Sequence, residues 1–392
     1  ARCLPPDVFR LLLSLWNCMK SRILLLLGFC FLGLVVACTV DGQPATAQSP
    51  ASTPAAKEPP AQSVPAATSA SNIVFMGVGD IMLGSTYPDE SGLPPNDGAD
   101  LLKEATPILT SADLAFGNLE GPMLEGGTTT KCGPKSTRCF AFRVPTRYGK
   151  HLKDAGIDVM SLANNHANDF GSQGMASSKK VLDELGIAHA GEIGDIAYMT
   201  VKGRKIAIIG FATNAVSYNV NDIEIARRVV ADTTKKADLV IVSFHGGAEG
   251  TANLHVPDQV EIFLGETRGH LRKFARTVID AGADLVIGHG PHVCRGMEVY
   301  KDRFIAYSLG NFATYGKFNL AEELGKTMIL EVHIDPKDGA FRGGKIHPFK
   351  QIKPGGPLAD SSKAIIPLMK QLSESDFGDT SVKISDDGTI SF

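Results

Sequence analysis

Five short polar clusters, each closing an apolar run, most constrain what this chain can fold into. They are Gly79-Asp80, Gly117-Asn118-Leu119-Glu120, Asn164-Asn165-His166, His245-Gly246-Gly247 and His289-Gly290-Pro291-His292. All but the second follow a run that reads as a buried strand, and the second follows a shorter run. Asp, Glu, Asn and His are the side chains that hold hard or borderline metals. One such cluster would read as a turn. Five in succession predict a single site along one edge of a sheet.

The chain between the clusters supports a sheet. Residues 73–78, 112–116, 159–163, 206–211, 239–244, 285–287, 304–309 and 328–334 read as strands. Residues 99–109, 148–155, 175–185 and 271–281 carry helical spacing. Strands alternating with helices imply an α/β domain, and continuous apolar runs imply strands covered on both faces. In such sheets ligands bind where strands end and loops begin. Residues 354–392 are less regular, with one helix expected at 364–372, and read as an extension of the same domain.

The N-terminal part differs. Met19-Lys20-Ser21-Arg22 opens a basic segment, and Ile23 to Val36 is apolar for 14 residues before Ala37-Cys38. This is signal-peptide architecture, and it is shorter than the ~20 residues of a membrane span; a plain transmembrane anchor is the alternative reading. Residues 1–18 read as upstream of the natural start at Met19. The ending Val35-Val36-Ala37-Cys38 resembles a bacterial lipoprotein box, which implies cleavage before Cys38 and lipidation of that residue. An ordinary cleavage site with an incidental Cys is the alternative. Residues 39–71 are mostly Ala, Pro, Ser, Thr and Gln, cannot build a core, and read as a disordered tether. The expected organisation is therefore leader 1–38, tether 39–71 and folded domain 72–392, exported and held at a bacterial membrane. An exported chain meets an oxidising compartment, so Cys132 and Cys139 are expected to form a local disulfide. Cys294 is expected as a buried small hydrophobe. A formal net charge of −3 and the lack of any Lys/Arg-rich run argue against a nucleic-acid partner. Arg272-Lys273 reads as a solvated helix face.

Taken alone, each polar group has a bland explanation. Asp80 could cap a turn, and Asn118 with Glu120 could be a turn Asn and a surface Glu. In an extended stretch, however, Asn118 and Glu120 point the same way. Asn164, Asn165 and His166 in a row are costly in a core unless satisfied. Asp169 could orient His166 through a hydrogen bond. Glu249 is a candidate partner for His245. His289 and His292 bracket a Gly-Pro turn and could place two rings around one ion.

In this order the motifs resemble the CapA family of poly-γ-glutamate capsule synthesis proteins, in the metallo-dependent phosphatase (calcineurin-like) superfamily. They are Gly79-Asp80-Ile81-Met82-Leu83-Gly84, Asn118-Leu119-Glu120, Leu162 to Gly171, Phe244 to Glu249, Gly288 to Val293 and Tyr307 to Phe312. The resemblance implies a four-layer αββα sandwich of the metallophosphoesterase type with one or two divalent ions, Mn, Fe, Zn or Mg. It implies Asp80, Glu120, Asn165, His245, His289 and His292 as metal ligands and His166 as leaving-group acid, beside Asp169. Asn118, Asn164, Glu249 and Asn311 are expected to face substrate. An anionic polymer or phosphorylated substrate, and other capsule-machinery proteins, are the expected partners. Two positions depart from the pattern. Met82 stands where the superfamily has a ligand His, and Gly290 where the family usually has one. Either a metal-dependent phosphoesterase or a binding component with a degenerate cleft fits this set. An envelope phosphoesterase with no link to capsule is a third reading.

Overall fold

The computed structural model describes residues 71–129, 131–132 and 140–392. Met19, Cys38, Cys139 and all of the tether before residue 71 lie outside the described residues. Among the described residues no helix is long and apolar enough to cross a membrane.

Two sheets face each other across an apolar core. The first has four parallel strands at its heart: β1 (Ile73–Met82), β2 (Leu114–Leu119), β3 (Val159–Ser161) and β4 (Ala188–Ala190). β14 (Asn311–Thr314) also runs parallel to β1. Beyond β1 the sheet continues antiparallel through β15 (Lys326–Ile334) and β16 (Phe341–Gln351). The short strands β17 (Pro357–Ala359), β18 (Lys383–Ile384) and β19 (Thr389–Ser391) finish that side.

The second sheet has a parallel heart of β6 (Arg204–Ala212), β8 (Leu239–His245), β11 (Leu285–His289) and β13 (Arg303–Leu309). Antiparallel β5 (Ile196–Val201) and β12 (Cys294–Tyr300) flank it, and β7 (Tyr218–Asn219) pairs with β6. A separate hairpin is formed by β9 (Glu261–Phe263) and β10 (Glu266–Gly269).

The strand period of two distributes the apolar runs between layers. Ile206, Ile208, Leu239 and Ile241 enter the core between the sheets, where they meet Phe75, Leu114 and Phe116 of the first sheet. Their neighbours Ala207, Ile209, Val240, Val242 and Phe244 face the other way. There α4 (Ile223–Thr233) and α5 (Leu271–Asp280) cover them. In α5, Leu271, Phe274, Ala275, Val278 and Ile279 fall on one stripe at helical spacing. The outer face of the first sheet is covered by α1 (Thr106–Leu109), α2 (Gly149–Asp154) and α3 (Gly171–Leu185) through Leu109, Leu152, Met175 and Leu182. Each large apolar side chain so buried contributes about 1.5–3 kcal/mol. Helix, sheet, sheet and helix form the four-layer αββα sandwich that the motifs implied.

Three expectations change. The helical spacing at 99–109 yields only the single turn α1, because Pro107 has no N–H to donate and bars a helix running through it. Residues 383–384 and 389–391 form strands, too short to show a period in sequence. Arg272 is not a solvated residue. Its guanidinium donates to the carbonyls of Val256 and Asp376, anchoring the end of α6 (Ile365–Phe377). That helix sends Ile365, Ile366 and Met369 into the core between the sheets. Cys294 is buried as expected, its thiol against the Leu309 carbonyl at 3.2 Å.

Candidate metal centre

The polar clusters lie at the carboxyl ends of the parallel strands of both sheets. Asp80 lies near the end of β1, Asn118 and Glu120 at the end of β2, and Asn164 to His166 just past β3. From the second sheet, His245 ends β8, His289 ends β11, and His292 follows within three residues. β1 reaches the centre because Gly79 permits close contact with the next segment. The Asp80 amide donates to the Gly310 carbonyl at 2.9 Å, and a Cβ at residue 79 would fall 2.0 Å from that oxygen.

Asn118 and Asn164 build the frame. The Asn118 amide donates to Asp80 Oδ1 at 2.8 Å and to Glu120 Oε1 at 3.1 Å. Its own oxygen accepts from Asn164 Nδ2 at 3.0 Å. Asn164 also donates to the Leu119 carbonyl and accepts from the backbone amides of His166 and Ala167. Both side chains are buried with every polar atom engaged. Both amides expected to contact substrate are thus engaged in holding the frame of the centre.

A set of buried atoms is left without partners. His245 Nε2 lies 2.8 Å from Glu120 Oε1, while His245 Nδ1 and Glu120 Oε2 have no partner. His289 Nε2 donates to the Val78 carbonyl at 3.1 Å, which leaves Nδ1 as a buried lone pair. Asn165 Oδ1 and Asn311 Oδ1 are orphaned as well. Buried polar atoms are rarely left unpaired. Here five of them, all oxygen or imidazole nitrogen, belong to residues at the strand ends that carry the polar clusters. Ligand atoms of Asp80, Glu120 and His245 lie within 4.8 Å of one another. This donor set of carboxylate, amide oxygen and imidazole suits a borderline divalent cation.

The electrostatics agree with that reading. Burial, aided by the charge of Arg268, pushes His245 down to about 3, and burial lowers His289 too. Both rings are therefore neutral at pH 7, as ligating imidazoles must be. Burial and the charge of Asp80 raise Glu120. Burial alone would raise Asp80, but the hydrogen bond and charge of His292, 2.8 Å away, outweigh it and bring the carboxyl down to about 2. For His292 burial again opposes the charge, and Asp80 wins, lifting the ring to about 9. His292 also sits at φ +59°, left-handed backbone held by its surroundings.

His166 faces this group from the side. Its Nδ1 is 2.8 Å from Asp169 Oδ2, and its Nε2 lies 3.9 Å from Glu120 Oε2. Asp169 is held in turn by a salt bridge from Lys131 and by the Phe142 amide at 2.8 Å. Lys131 also donates to the Asn165 carbonyl at 3.1 Å. Cys132 next to it is disulfide-bonded, while Cys139 lies outside the described residues. Glu249 is not the partner of His245, whose carboxylate is Glu120. It pairs instead with buried Arg268 at 3.1 Å. Asn311 stands opposite Asp80 in register, and its amide donates to the Leu324 carbonyl.

The two departures have different characters. Met82 is buried in β1 and adds no hard donor. Gly290 has φ +114°, and a Cβ there would meet the Gly246 backbone oxygen at 2.6 Å. No side chain fits at 290 while the two loops pack this closely. Lys131, Phe142, Arg268 and Phe318 went unread in the sequence, because each lies in a loop or hairpin with no periodic signal. A cleft of about 600 Å³ opens over the centre, lined by His166, His292, Asn165 and these four.

The bacterial capsule synthesis protein family PGA_cap matches residues 74–315, which include every residue of the centre. The chain belongs to that family. The capsule biosynthesis protein CapA of Bacillus anthracis is 31% identical over 256 residues, 60% of this chain and 58% of its own length. The PGA biosynthesis protein CapA of Bacillus subtilis (strain 168) is 32% identical over 255 residues, 60% of this chain and 61% of its own. The chain thus spans about three fifths of the length of these curated relatives. Among solved structures, the purple acid phosphatase PPD1 from yellow lupin (Lupinus luteus) seeds superposes with a TM-score of 0.34 at 10% identity. That match covers 76% of this chain and 55% of the phosphatase. In this PGA_cap chain, the centre combines a metal-type donor set with an oriented imidazole at its edge.

Proposed function

We propose that the protein serves in the synthesis, export or anchoring of an anionic capsule polymer of the poly-γ-glutamate type, and that its cleft is a metal-dependent hydrolytic centre for a phosphate ester or related bond. The observation that carries the hydrolytic part is the clustering of Asp80, Glu120 and His245 ligand atoms within 4.8 Å, with orphaned buried donors on neighbouring strand-end residues and the oriented His166–Asp169 pair 3.9 Å from Glu120. Asp80, Glu120, Asn165, His245, His289 and His292 would hold the metal, which supplies Lewis acidity toward a phosphoryl oxygen. Asp169 fixes the His166 ring so that Nε2 faces the centre, where it can hold and release a proton at a leaving oxygen. Asn118 and Asn164 keep the two carboxylates in place. Phe142 packs on His166 and shields that proton from bulk water. The leader and Cys38 support an exported, lipid-anchored protein working at a membrane surface, with other capsule proteins as partners.

The full chain should hydrolyse phosphomonoesters or diesters with Mn²⁺ added, and retain divalent metal on elemental analysis. His166→Ala should lose at least about 100-fold in kcat, the usual size of a general-acid contribution, while keeping its metal. Asp80→Ala should lose both metal and activity. Activity that survives both substitutions refutes the hydrolytic reading. A second reading, a binding component that uses the same cleft, is favoured by Met82 in place of an imidazole. It predicts that capsule is lost in the Asp80 variant with no hydrolysis by the parent protein.

A further inference from the structure

The polar floor is only half of the cleft. The Phe142 ring lies 4.3 Å from that of His166, centroid to centroid, and 5.3 Å from that of Phe318. Phe318 in turn meets His292 edge-on at 5.1 Å. These two phenyl rings bridge the candidate acid and the opposite imidazole. Beyond them Phe140 is 58% exposed, Phe263 is half-buried, and Leu264, between β9 and β10, is 89% exposed. Single exposed apolar residues need no explanation, but a group of them on the rim of a polar centre marks a binding surface.

The charges narrow the ligand. Lys131 is engaged by Asp169, and Glu249 and Glu266 flank Arg268 at 3.1 and 3.7 Å. Lys317 is exposed at the rim and salt-bridged to no described residue. A chain of repeated carboxylates would leave the phenyl rings wet and gain nothing from them. An anion carrying an apolar body would satisfy both halves at once.

Building on the hydrolytic reading above, we propose that the cleft selects a phosphate monoester of an apolar alcohol, aromatic or alkyl. The phosphate sits over the metal-type floor near Lys317, and the body lies along Phe142, Phe318 and Leu264. Phosphonates resist hydrolysis, so calorimetric titration of the Mn²⁺-loaded full chain reads binding alone. Benzylphosphonate and octylphosphonate should bind at least about tenfold more tightly than 3-hydroxypropylphosphonate, a modest return for burying several methylene equivalents. Tighter octyl binding assigns a lipid-like source, and tighter benzyl binding a flat aromatic one. In Leu264→Ser, altered at an exposed position, and in Phe318→Ala, the ratio should collapse to within about twofold. Equal affinity for all phosphonates, or a ratio unchanged in both variants, overturns this proposal and leaves the metal centre standing. Failure of every phosphonate to bind, methylphosphonate included, overturns both.

Discussion

Asn164 shows how much one buried side chain can decide. It accepts from two backbone amides while its amide holds Asn118, which grips both Asp80 and Glu120. Asn164→Ala should cost about 1–3 kcal/mol, because buried partners lose their hydrogen bonds. Metal affinity should fall with it, read by chemical unfolding and calorimetry on the same variant. His292 governs the pH dependence. In the metal-free site it keeps its proton up to about 9, above its ordinary 6.5, because Asp80 faces it. The stabilisation it gives the metal-free protein is therefore complete below pH 6.5 and is lost as pH rises through 9. A ligating nitrogen must surrender that proton, so metal affinity should rise by about tenfold per pH unit below 9 and then level off. A flat profile measured by calorimetry between pH 6 and 9 would remove His292 from the ligand set. At this scale the sequence could suggest which residues take part but not their roles. Asn164 and Asn165 are identical in type and adjacent, yet one is spent on the frame and the other has a free oxygen.

Among the elements, strand ends carry the site because parallel strands of both sheets finish on the same side. The runs before Asp80, His245 and His289 were legible as strands, since continuous apolar stretches with β-branched residues have few other uses. The loops were not legible. Lys131 and Phe318 reach the centre from segments whose course depends on what they pack against. Glycine sets how closely those segments approach. Gly79→Ala would drive a methyl carbon into the Gly310 carbonyl, so β1 and the turn before β14 must separate. The expected cost is about 1–3 kcal/mol, as for other overpacked sites, together with weaker metal binding as Asp80 moves. An unchanged urea midpoint would show that the two segments can part freely.

For the molecule as a whole, the centre joins two sheets that share a core. Asp80 and Glu120 come from the first and His245, His289 and His292 from the second. An ion held by both should act as a clamp. Metal at about 100 times its Kd should add roughly 2.7 kcal/mol by mass action alone. Tm should therefore fall on chelation and recover when Mn²⁺ is restored, and an identical Tm in both states would deny such a clamp. The sequence by itself determined the alternation of strands and helices and the identity of the polar clusters, because both follow from local periodicity and from residue chemistry along the chain, while the layer order came through the family resemblance. Only the tertiary structure decided that Glu120, not Glu249, meets His245, that no side chain fits at Gly290, and that phenyl rings roof the cleft. Those facts depend on distances between segments over 100 residues apart in the case of Glu120 and His245, and periodicity carries no information at that range.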